Sequence, residues 1–344
     1  ALAHLSGTDA YRTDERQLEI IHKILSSRGL DILDINLAQA SVPETSEVIP
    51  NRCGTAPIMV FRFPADRFGH EATLYSLPGV PYEALAALPD IMEDIKAHHS
   101  LSDIYHRTVM TYGIAESALA KMIEEWEDNL PADMHLAYLP NPLTGVRLRL
   151  SIYGGNKEDE EARIEAELAK LRPILGSSLY SDHEDTLEGC IGRMLSGAGK
   201  TVSVAESCTG GTISALFTSV PGASEYYLGS VTSYANEIKI NVLGVPAEII
   251  AENGAVSPEC VAAMAEGVRK LTGSDYSVAT SGIAGPGGGS AEKPVGLVWI
   301  GVSSDKGTET FSMVFRNDRK RNIERFASSA LNILREKLVN ELKY

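Results

Sequence analysis

Residues 201–211 read Thr-Val-Ser-Val-Ala-Glu-Ser-Cys-Thr-Gly-Gly and predict a strand that passes directly into a helix. Residues 201–205 are β-branched, small or apolar and carry no charge, which is typical of a short buried strand. The apolar residues that follow recur at helical spacing: Ile213, Leu216 and Phe217. Residues 206–209 therefore lie at a strand-to-helix turn, where free backbone N–H groups and the helix dipole face a ligand. The hydroxyl of Ser207 at this turn is suited to be a helix N-cap, a phosphate ligand or a nucleophile, and the N-cap is the commonest of the three.

Length and composition limit the class of protein. A chain of 344 residues, 44% of them apolar, is expected to form two or three globular domains. Its net charge of −15 offers no basic surface to a phosphate backbone, so we expect no nucleic-acid partner. The longest apolar runs, such as residues 296–302, are strand-sized, so we expect no membrane partner. The four cysteines are scattered without a Cys-x-x-Cys pair, which favours a reducing, cytoplasmic location over a zinc site or a disulfide framework.

The order of predicted elements favours an α/β fold with three domains. Residues 181–344 mix strands with helices and predict a three-layer α/β/α sandwich that ends in a long helix over 318–342. Residues 99–180 predict a small α+β domain in which a hairpin turn over 141–145 joins two strands. Residues 1–98 predict only a few strands, so we expect them to be the C-terminal part of a larger α/β domain.

Three loops of the last domain are dense in polar and glycine residues, at 206–211, 233–239 and 280–290. Ligands of α/β folds collect beyond the carboxyl ends of strands, and the first and third loops directly follow predicted strands, so we expect the loops to meet. The glycine-rich loop matches neither a Rossmann fingerprint nor a Walker loop. A basic cluster at the start of the closing helix adds positive charge for an anionic substrate. It comprises Arg316, Arg319, Lys320 and Arg321.

The choice of a base for a nucleophile in these loops is narrow. His183 is the sole histidine of residues 181–344 and precedes the first strand, which makes a Ser-His-Asp arrangement hard to build. A lysine serves as a base when desolvation keeps it neutral. Lys239 is the candidate, with an exposed helix lysine as the alternative. Cys208 is either a thiol nucleophile or, as is commoner, a buried structural cysteine.

Four blocks of the last domain carry a resemblance to a known family. They are Ala-Glu-Ser-Cys-Thr-Gly-Gly at 205–211, Gly-Ser-Val-Thr-Ser-Tyr-Ala-Asn-Glu-Ile-Lys at 229–239, Asn-Gly-Ala-Val-Ser at 253–257, and Ser-Gly-Ile-Ala-Gly-Pro at 281–286 with Glu-Lys-Pro-Val-Gly-Leu-Val-Trp at 292–299. In this order they resemble the competence/damage-inducible protein CinA family. Residues 50–57 and 77–83 resemble that family's N-terminal molybdopterin-binding-like domain, and residues 137–150 resemble its small middle domain.

The resemblance implies an activity and the residues that perform it. The C-terminal domain resembles the family's nicotinamide mononucleotide (NMN) deamidase, a hydrolase of pyridine-nucleotide salvage that forms nicotinate mononucleotide and ammonia. The resemblance implies Ser207 as the nucleophile and Lys239 as its base, with Tyr234 and Ser281 relaying protons or holding the serine. It implies that Arg319 contacts the substrate, at its phosphate or at the developing negative charge. The remaining predicted substrate-binding residues are Thr209, Gly210, Gly211 and Gly282.

The resemblance also bears on cofactors, partners and alternative functions. Deamidation by this route needs no cofactor, no metal ligand is assigned, and the family suggests a homodimer whose ligand is NMN. Family members are credited with a metal-dependent ADP-ribose pyrophosphatase activity in the N-terminal domain, so that activity, with a divalent metal, is one alternative. The family's Gly-Asp-Glu and Gly-Pro-Thr-x-Asp-Asp loops are absent from this sequence. A non-catalytic nucleotide-binding regulator is the second alternative.

Overall fold

The computed structural model describes residues 1–101, 103–141 and 143–342, and the chain divides into two compact units after residue 102. The helices of the first unit are α1 (Leu2–Leu5), α2 (Glu15–Ser27), α3 (Asp34–Leu37), α4 (Ala65–Phe68) and α5 (Pro81–His98). Its strands are β1 (Tyr11–Thr13), β2 (Ser41–Pro43), β3 (Glu47–Ile49), β4 (Ile58–Phe63) and β5 (Ala72–Ser76). No helix in the described ranges combines the length and the apolarity needed to cross a membrane.

The first unit contains two small antiparallel sheets, β1–β2 and β3–β4–β5. A side-chain cap fixes the start of α2, because the carboxylate of Asp14 accepts a hydrogen bond from the amide of Gln17. The buried Gln17 side chain also donates to carbonyls of the 50–57 loop, and Asn51 in that loop donates to Glu83 of α5 at 2.7 Å. The loop is therefore held by polar side chains rather than by a strand ladder.

The second unit begins with an antiparallel sheet covered by two helices. Its strands are β6 (Ile104–Thr111), β7 (Met134–Asn141), β8 (Gly145–Tyr153) and β9 (Leu179–Ser181), and its helices are α6 (Glu116–Asp128) and α7 (Lys157–Leu175). The strand order is β7-β8-β6-β9. The predicted hairpin is confirmed by the pairing of Asn141 with Gly145, while Pro142 in its loop lies outside the described residues. The sequence patterns did not predict β6, in which only the last four of eight residues are buried.

The rest of the second unit is a five-stranded sheet with helices on both faces. Its strands are β10 (Val202–Glu206), β11 (Tyr227–Thr232), β12 (Tyr276–Gly282), β13 (Leu297–Ser304) and β14 (Gly307–Val314). Its helices are α8 (Leu187–Ala198), α9 (Thr212–Thr218), α10 (Asn236–Asn241), α11 (Ala247–Asn253), α12 (Pro258–Thr272) and α13 (Arg319–Leu342). The strand order is β11-β10-β12-β13-β14; β11, β10 and β12 are parallel, and the last two strands are antiparallel to their neighbours.

Alternate residues of the central strands face opposite helical layers. Val204 of β10 and Val278 of β12 lie in the core that α8, α9 and α13 cover. Ala205 and Ala279, the next residues along these strands, lie in a second core beneath α12. Strand residues buried on both faces leave no polar side of the sheet, so helices must cover both. The predicted α/β class and its three-layer sandwich are confirmed.

Candidate active site

The carboxyl ends of three parallel strands lie at one edge of the sandwich sheet and bring the three predicted loops together. Glu206 at the end of β10 pairs with Thr232 of β11 on one side and with Thr280 of β12 on the other. The amide of Ser207 donates to the Thr280 carbonyl at 3.0 Å, and the amide of Ser233 donates to the Glu206 carbonyl at 2.8 Å. Backbone hydrogen bonds thus join the loops directly behind Ser207.

The carboxylate of Glu206, and not the hydroxyl of Ser207, caps the helix that follows. Helix α9 begins at Thr212, and no bond from Ser207 supports it. The fully buried Glu206 side chain accepts hydrogen bonds of 2.9–3.1 Å from the amides of Gly211, Ile213 and Ser214. The N-cap interpretation of Ser207 is therefore wrong. The positive end of α9 is also occupied by a protein carboxylate, so it is not open to a substrate phosphate.

Ser207 and Lys239 form a hydrogen-bonded pair. The Nζ of Lys239 lies 3.2 Å from the Oγ of Ser207, 2.7 Å from the carbonyl oxygen of Ser233 and 3.3 Å from that of Tyr234. The lysine is 1% exposed, and no carboxylate in the described part of the chain forms an ion pair with it. Burial lowers the pKa of Lys239 below its ordinary value of 10.5. The alternative of an exposed helix lysine is therefore wrong.

The short helix α10 places this lysine. It begins three residues after Ser233, and its chain then turns back so that the amide of Val245 donates to the carbonyl of Lys239 at 3.0 Å. Leu243 and Val245 are buried in the core beneath α12. Packing of this segment therefore holds the amine against the end of β10.

The turn after Ser207 presents two further polar groups. Among the described residues, no oxygen acceptor takes the backbone N–H groups of Cys208 and Thr209. The thiol of Cys208 is 6% exposed, and burial raises its pKa to about 12. A thiol with that pKa is neutral near pH 7, so Cys208 fits the interpretation of a buried structural cysteine better than that of a nucleophile.

Of the four further residues predicted to bind substrate, Gly211 donates its amide to Glu206, and the other three differ in their surroundings. Thr209 is buried and its hydroxyl is bonded to that of Thr280 at 2.7 Å, so it holds the turn to β12. A Cβ on Gly282 would lie 2.5 Å from the carbonyl oxygen of Leu297, so the close approach of β13 requires glycine there. Gly210 has a φ of +60° and nothing within 4 Å of its Cβ position, which leaves open space for a ligand. Substrate contact by all four glycine and threonine positions stays a prediction.

Tyr234 and Arg319 contact each other beside the 280–290 loop. Tyr234 is 64% exposed, and its hydroxyl accepts a hydrogen bond from the Nη2 of Arg319 at 3.3 Å. The Nη1 of Arg319 donates to the carbonyl of Gly285 at 2.7 Å. The fully buried side chain of Asn322 donates to the carbonyl of Ala284 at 3.0 Å. The start of α13 is thereby tied to the 280–290 loop, with an aromatic ring and a guanidinium group side by side.

Ser281 lies apart from this hydrogen-bonded chain. Its hydroxyl is 1% exposed and donates to the carbonyl of Ala255 at 2.6 Å. In the described part of the chain no hydrogen bond links it to Ser207 or to Lys239. Ser281 thus ties the end of β12 to the segment before α12, and its part in proton transfer stays a prediction.

Sequence patterns did not find the roles of Glu206 and Asn322. An acidic residue at the end of an otherwise uncharged buried strand is a signal for the first, because a buried carboxylate needs donors. The nearest unpaired donors are the first amides of the following helix. Asn322 carries no comparable signal, since the carbonyl of Ala284 that it binds belongs to a loop distant in the sequence.

In the described ranges, no group of three or more His, Cys, Asp and Glu side chains is close enough to hold a metal ion. The metal-dependent pyrophosphatase alternative for the N-terminal half stays a prediction without assigned ligands.

Comparison with known proteins identifies the family. The family model of the CinA C-terminal domain matches residues 184–338, and that of the damage-inducible protein CinA KH domain matches residues 106–181. A CinA-like protein from Cytophaga hutchinsonii is 42% identical over 312 residues, which are 90% of this chain and 73% of that protein. The chain belongs to the CinA family. Another CinA-like protein, from Chloroherpeton thalassium, is 40% identical and covers 95% of this chain and 78% of that protein.

Solved structures of CinA proteins are also similar to this chain. The competence damage-inducible protein A (ComA) of Klebsiella pneumoniae is 37% identical, with a TM-score of 0.44, and covers 45% of this chain and 96% of that chain. The competence/damage inducible protein CihA of Agrobacterium tumefaciens is 36% identical, with a TM-score of 0.43, and covers 44% of this chain and 93% of that chain.

The five residues predicted to act in catalysis and charge recognition all lie inside the range matched by the family model of the CinA C-terminal domain: Ser207, Tyr234, Lys239, Ser281 and Arg319.

Proposed function

We propose that residues 181–344 of this CinA-family protein hydrolyse the carboxamide of NMN to nicotinate mononucleotide and ammonia, with Ser207 as nucleophile and Lys239 as general base. The observation that carries the proposal is the 3.2 Å contact between the Nζ of Lys239 and the Oγ of Ser207. Amide hydrolysis needs an activated oxygen, a proton donor for the leaving ammonia and hydrogen-bond donors for the oxyanion. The site offers a candidate group for each of these tasks.

Burial without a carboxylate partner favours the neutral form of the Lys239 amine, whose lone pair can take the hydroxyl proton of Ser207. The carbonyl oxygens of Ser233 and Tyr234 only accept hydrogen bonds, so each takes one N–H of the amine. A neutral amine has two N–H groups, which these carbonyls occupy, and its lone pair is left for the hydroxyl proton of Ser207. Desolvation without a carboxylate partner lowers the pKa of Lys239 in the direction that this role requires.

The reaction follows from these positions in two halves. As the Oγ of Ser207 bonds to the carboxamide carbon, its proton passes to the Nζ of Lys239, and the C=O electrons move to the oxygen. Collapse of this tetrahedral intermediate breaks the C–N bond, and the ammonium group of Lys239 returns the proton to the leaving nitrogen as ammonia. A water molecule then attacks the acyl-serine with Lys239 again as base, which releases the carboxylate and restores the Ser207 hydroxyl.

The backbone of the turn supplies donors for the oxyanion. The N–H groups of Cys208 and Thr209 follow the nucleophile directly and take no oxygen acceptor among the described residues. A donor aimed at a developing oxyanion contributes about 3–4 kcal/mol to transition-state stabilisation. The Glu206 carboxylate engages amides further along the turn, so it fixes the turn without competing for these two groups.

The charge of Arg319 and the exposed ring of Tyr234 suit a pyridine nucleotide. The nicotinamide ring of NMN is a cationic aromatic, and the 64% exposed ring of Tyr234 offers it a face for stacking and cation–π attraction. Arg319 is exposed beside that ring and presents a guanidinium group to a phosphate. The choice of NMN itself rests on the resemblance to the family's deamidase.

The test is ammonia release from NMN by the full chain, together with chromatography of the nucleotide product. Ser207→Ala is expected to lower turnover by at least about 10³-fold, because the attacking oxygen is removed. The matched control is Ser219→Ala, which makes the same change at an exposed hydroxyl directly after the end of α9. Retention of most turnover by Ser207→Ala, or equal losses in the two variants, would refute the serine mechanism.

Location and assembly belong to the same proposal. We propose a cytoplasmic homodimer that acts without a cofactor on its small-molecule substrate, in line with the family and with the four free cysteines. Sedimentation velocity of the full chain tests the assembly, because a dimer and a monomer differ twofold in mass.

A further inference from the structure

A cavity of about 730 Å³ lies within the second unit, where the antiparallel sheet and its helices meet the sandwich. The end of α7, the strand β9 and the segment after it form one side, and α8 and α13 form the other. Ligand sites for small molecules occupy about 300–1,000 Å³. Neither residue of the Ser207–Lys239 pair lines this cavity, so the proposed deamidase does not use it.

A buried arginine from α13 lines the cavity. Arg335 is 3% exposed; its Nε and Nη2 donate to the Oδ1 of Asn332, and Nη2 also donates to the carbonyl of Ser177 at 2.9 Å. Among the described residues no acceptor takes its Nη1, and its one carboxylate neighbour, Glu336, lies 3.7 Å from Nη2. A buried guanidinium group is costly unless an anion with good geometry compensates it. Burial accordingly lowers the pKa of Arg335.

The other charged groups of the cavity are matched differently. Arg172 is paired with Glu165 and Asp182, and Arg193 is paired with Asp185. Arg335 differs from these two arginines because its carboxylate neighbour Glu336 lies 3.7 Å away and, among the described residues, forms no hydrogen bond with it. Much of the remaining lining is apolar: Leu179, Tyr180, Cys190, Met194 and Val339.

We propose that this cavity is a binding site for a small organic anion, whose carboxylate or phosphate pairs with Arg335 and whose apolar body packs between α8 and α13. A guanidinium group accepts either anion through paired N–H donors. The apolar lining adds affinity for a ring or a short hydrocarbon but not for an inorganic ion.

Isothermal titration calorimetry of the full chain tests this with four probes: 1-naphthyl phosphate, 1-naphthoate, the uncharged 1-naphthylmethanol and inorganic phosphate. We expect at least one naphthyl anion to bind about tenfold or more tightly than both naphthylmethanol and phosphate. The anion that binds identifies the headgroup. Equal binding of the uncharged probe, or no binding of either anion, overturns the proposal.

Two substitutions locate the site. Arg335→Gln should weaken binding of the naphthyl anion by about tenfold or more and leave binding of naphthylmethanol unchanged, because only the charged contact is lost. Val339→Phe should weaken every naphthyl probe by filling the space. The matched control Arg163→Gln removes the same charge from a 40% exposed side chain outside the cavity and should change nothing. Unchanged binding in folded Arg335→Gln refutes the assignment.

A measurement on the unsubstituted protein keeps the test independent of whether these variants fold. The thiol of Cys190 lines the cavity, whereas Cys53 belongs to the first unit. Modification by methyl methanethiosulfonate, followed by mass spectrometry, should become several-fold slower at Cys190 when the bound naphthyl anion saturates the protein, with no change at Cys53. Equal modification rates of Cys190 with and without the probe overturn the proposal.

Discussion

Substitution of Lys239 by methionine separates the chemical role of the buried amine from its effect on stability. Methionine is an unbranched side chain of similar length, so the substitution removes the amine and leaves the apolar stem. The amine makes three contacts, to the Ser207 hydroxyl and to the carbonyls of Ser233 and Tyr234. Loss of the first contact should change activity, and loss of the other two should change stability.

For activity, the lost contact is the one with Ser207. A positioned general base contributes about 10²–10⁴-fold to rate, or roughly 3–5 kcal/mol of transition-state free energy. We expect kcat/KM for NMN to fall by that factor in Lys239→Met. In the unsubstituted protein, kcat/KM should rise with pH as the amine deprotonates, with its inflection below 10.5, because burial lowers the pKa of Lys239.

For stability, two effects oppose each other. The carbonyls of Ser233 and Tyr234 lose their donor, which costs about 1–3 kcal/mol for each group that stays buried and unpaired. The variant also avoids the free-energy cost of burying an ionisable amine. Because the folded pKa of Lys239 lies below its unfolded value, the unfolded chain binds more protons between those two pKa values. The free energy of unfolding of the unsubstituted protein therefore rises with pH across that window, and the variant lacks this rise.

The measurement is urea unfolding of both proteins at several pH values between about 6 and 10. The free energy of unfolding of Lys239→Met relative to the unsubstituted protein should be most favourable at low pH and should decline as pH approaches 10.5. Lys270→Met is the matched control, since that lysine is exposed on α12. A difference in the free energy of unfolding that does not vary with pH would show that the amine is not desolvated. Turnover above a tenth of the original in Lys239→Met would show that the amine is not the base.

Three further predictions concern the surroundings of this pair. Glu206→Gln should lower the free energy of unfolding by about 2–3 kcal/mol, because the carboxylate that accepts hydrogen bonds from three backbone amides becomes a side-chain amide. Thermal unfolding measures this loss, and the control Glu225→Gln at an exposed position should have little effect. Arg319→Ala should raise KM for NMN about tenfold with a smaller change in kcat, as expected for a phosphate contact, and steady-state kinetics giving the opposite split would move Arg319 into the chemical step. Cys208→Ala should retain most turnover in the ammonia assay, since its thiol is neutral near pH 7, whereas an inactive Cys208→Ala beside an active Ser207→Ala would transfer the nucleophile to sulfur.

Much of the fold follows from local sequence patterns. The sequence predicts the strand β10 from an uncharged run of β-branched, small and apolar residues, and it predicts the long closing helix α13. In α12, Ser257 accepts a hydrogen bond from the amide of Cys260 as an N-cap, which is an end signal of the same local kind. The strand β6 and the helix α11 were not predicted. In the first, only the last four residues are buried, and the second is a seven-residue helix with no fully buried residue. Periodicity cannot mark an element whose apolar face is that short.

Some features of the site are likewise predicted by local sequence patterns, and others are not. The residue types and the strand-to-helix order indicated that loops 206–211, 233–239 and 280–290 converge, because parallel strands end at one edge of a sheet. Nothing local to Lys239 distinguished a buried amine from an exposed one. The N-cap preference of serine even favoured the wrong interpretation of Ser207, since the signal ignores the competing carboxylate of Glu206.

The sequence by itself determined the α/β class, the sandwich, the family resemblance and the set of reactive side chains at the carboxyl edge of the sheet. Periodicity and turn chemistry act over a few residues, so they can be recognised without knowing what lies nearby. Only the tertiary structure decided which donors and acceptors meet: the 3.2 Å pairing of Lys239 with Ser207, the capping of α9 by Glu206 and the burial of Arg335 beside a cavity. Desolvation and hydrogen bonding depend on atoms from distant segments, so the pKa of a lysine or the exposure of an arginine is settled when those segments pack together.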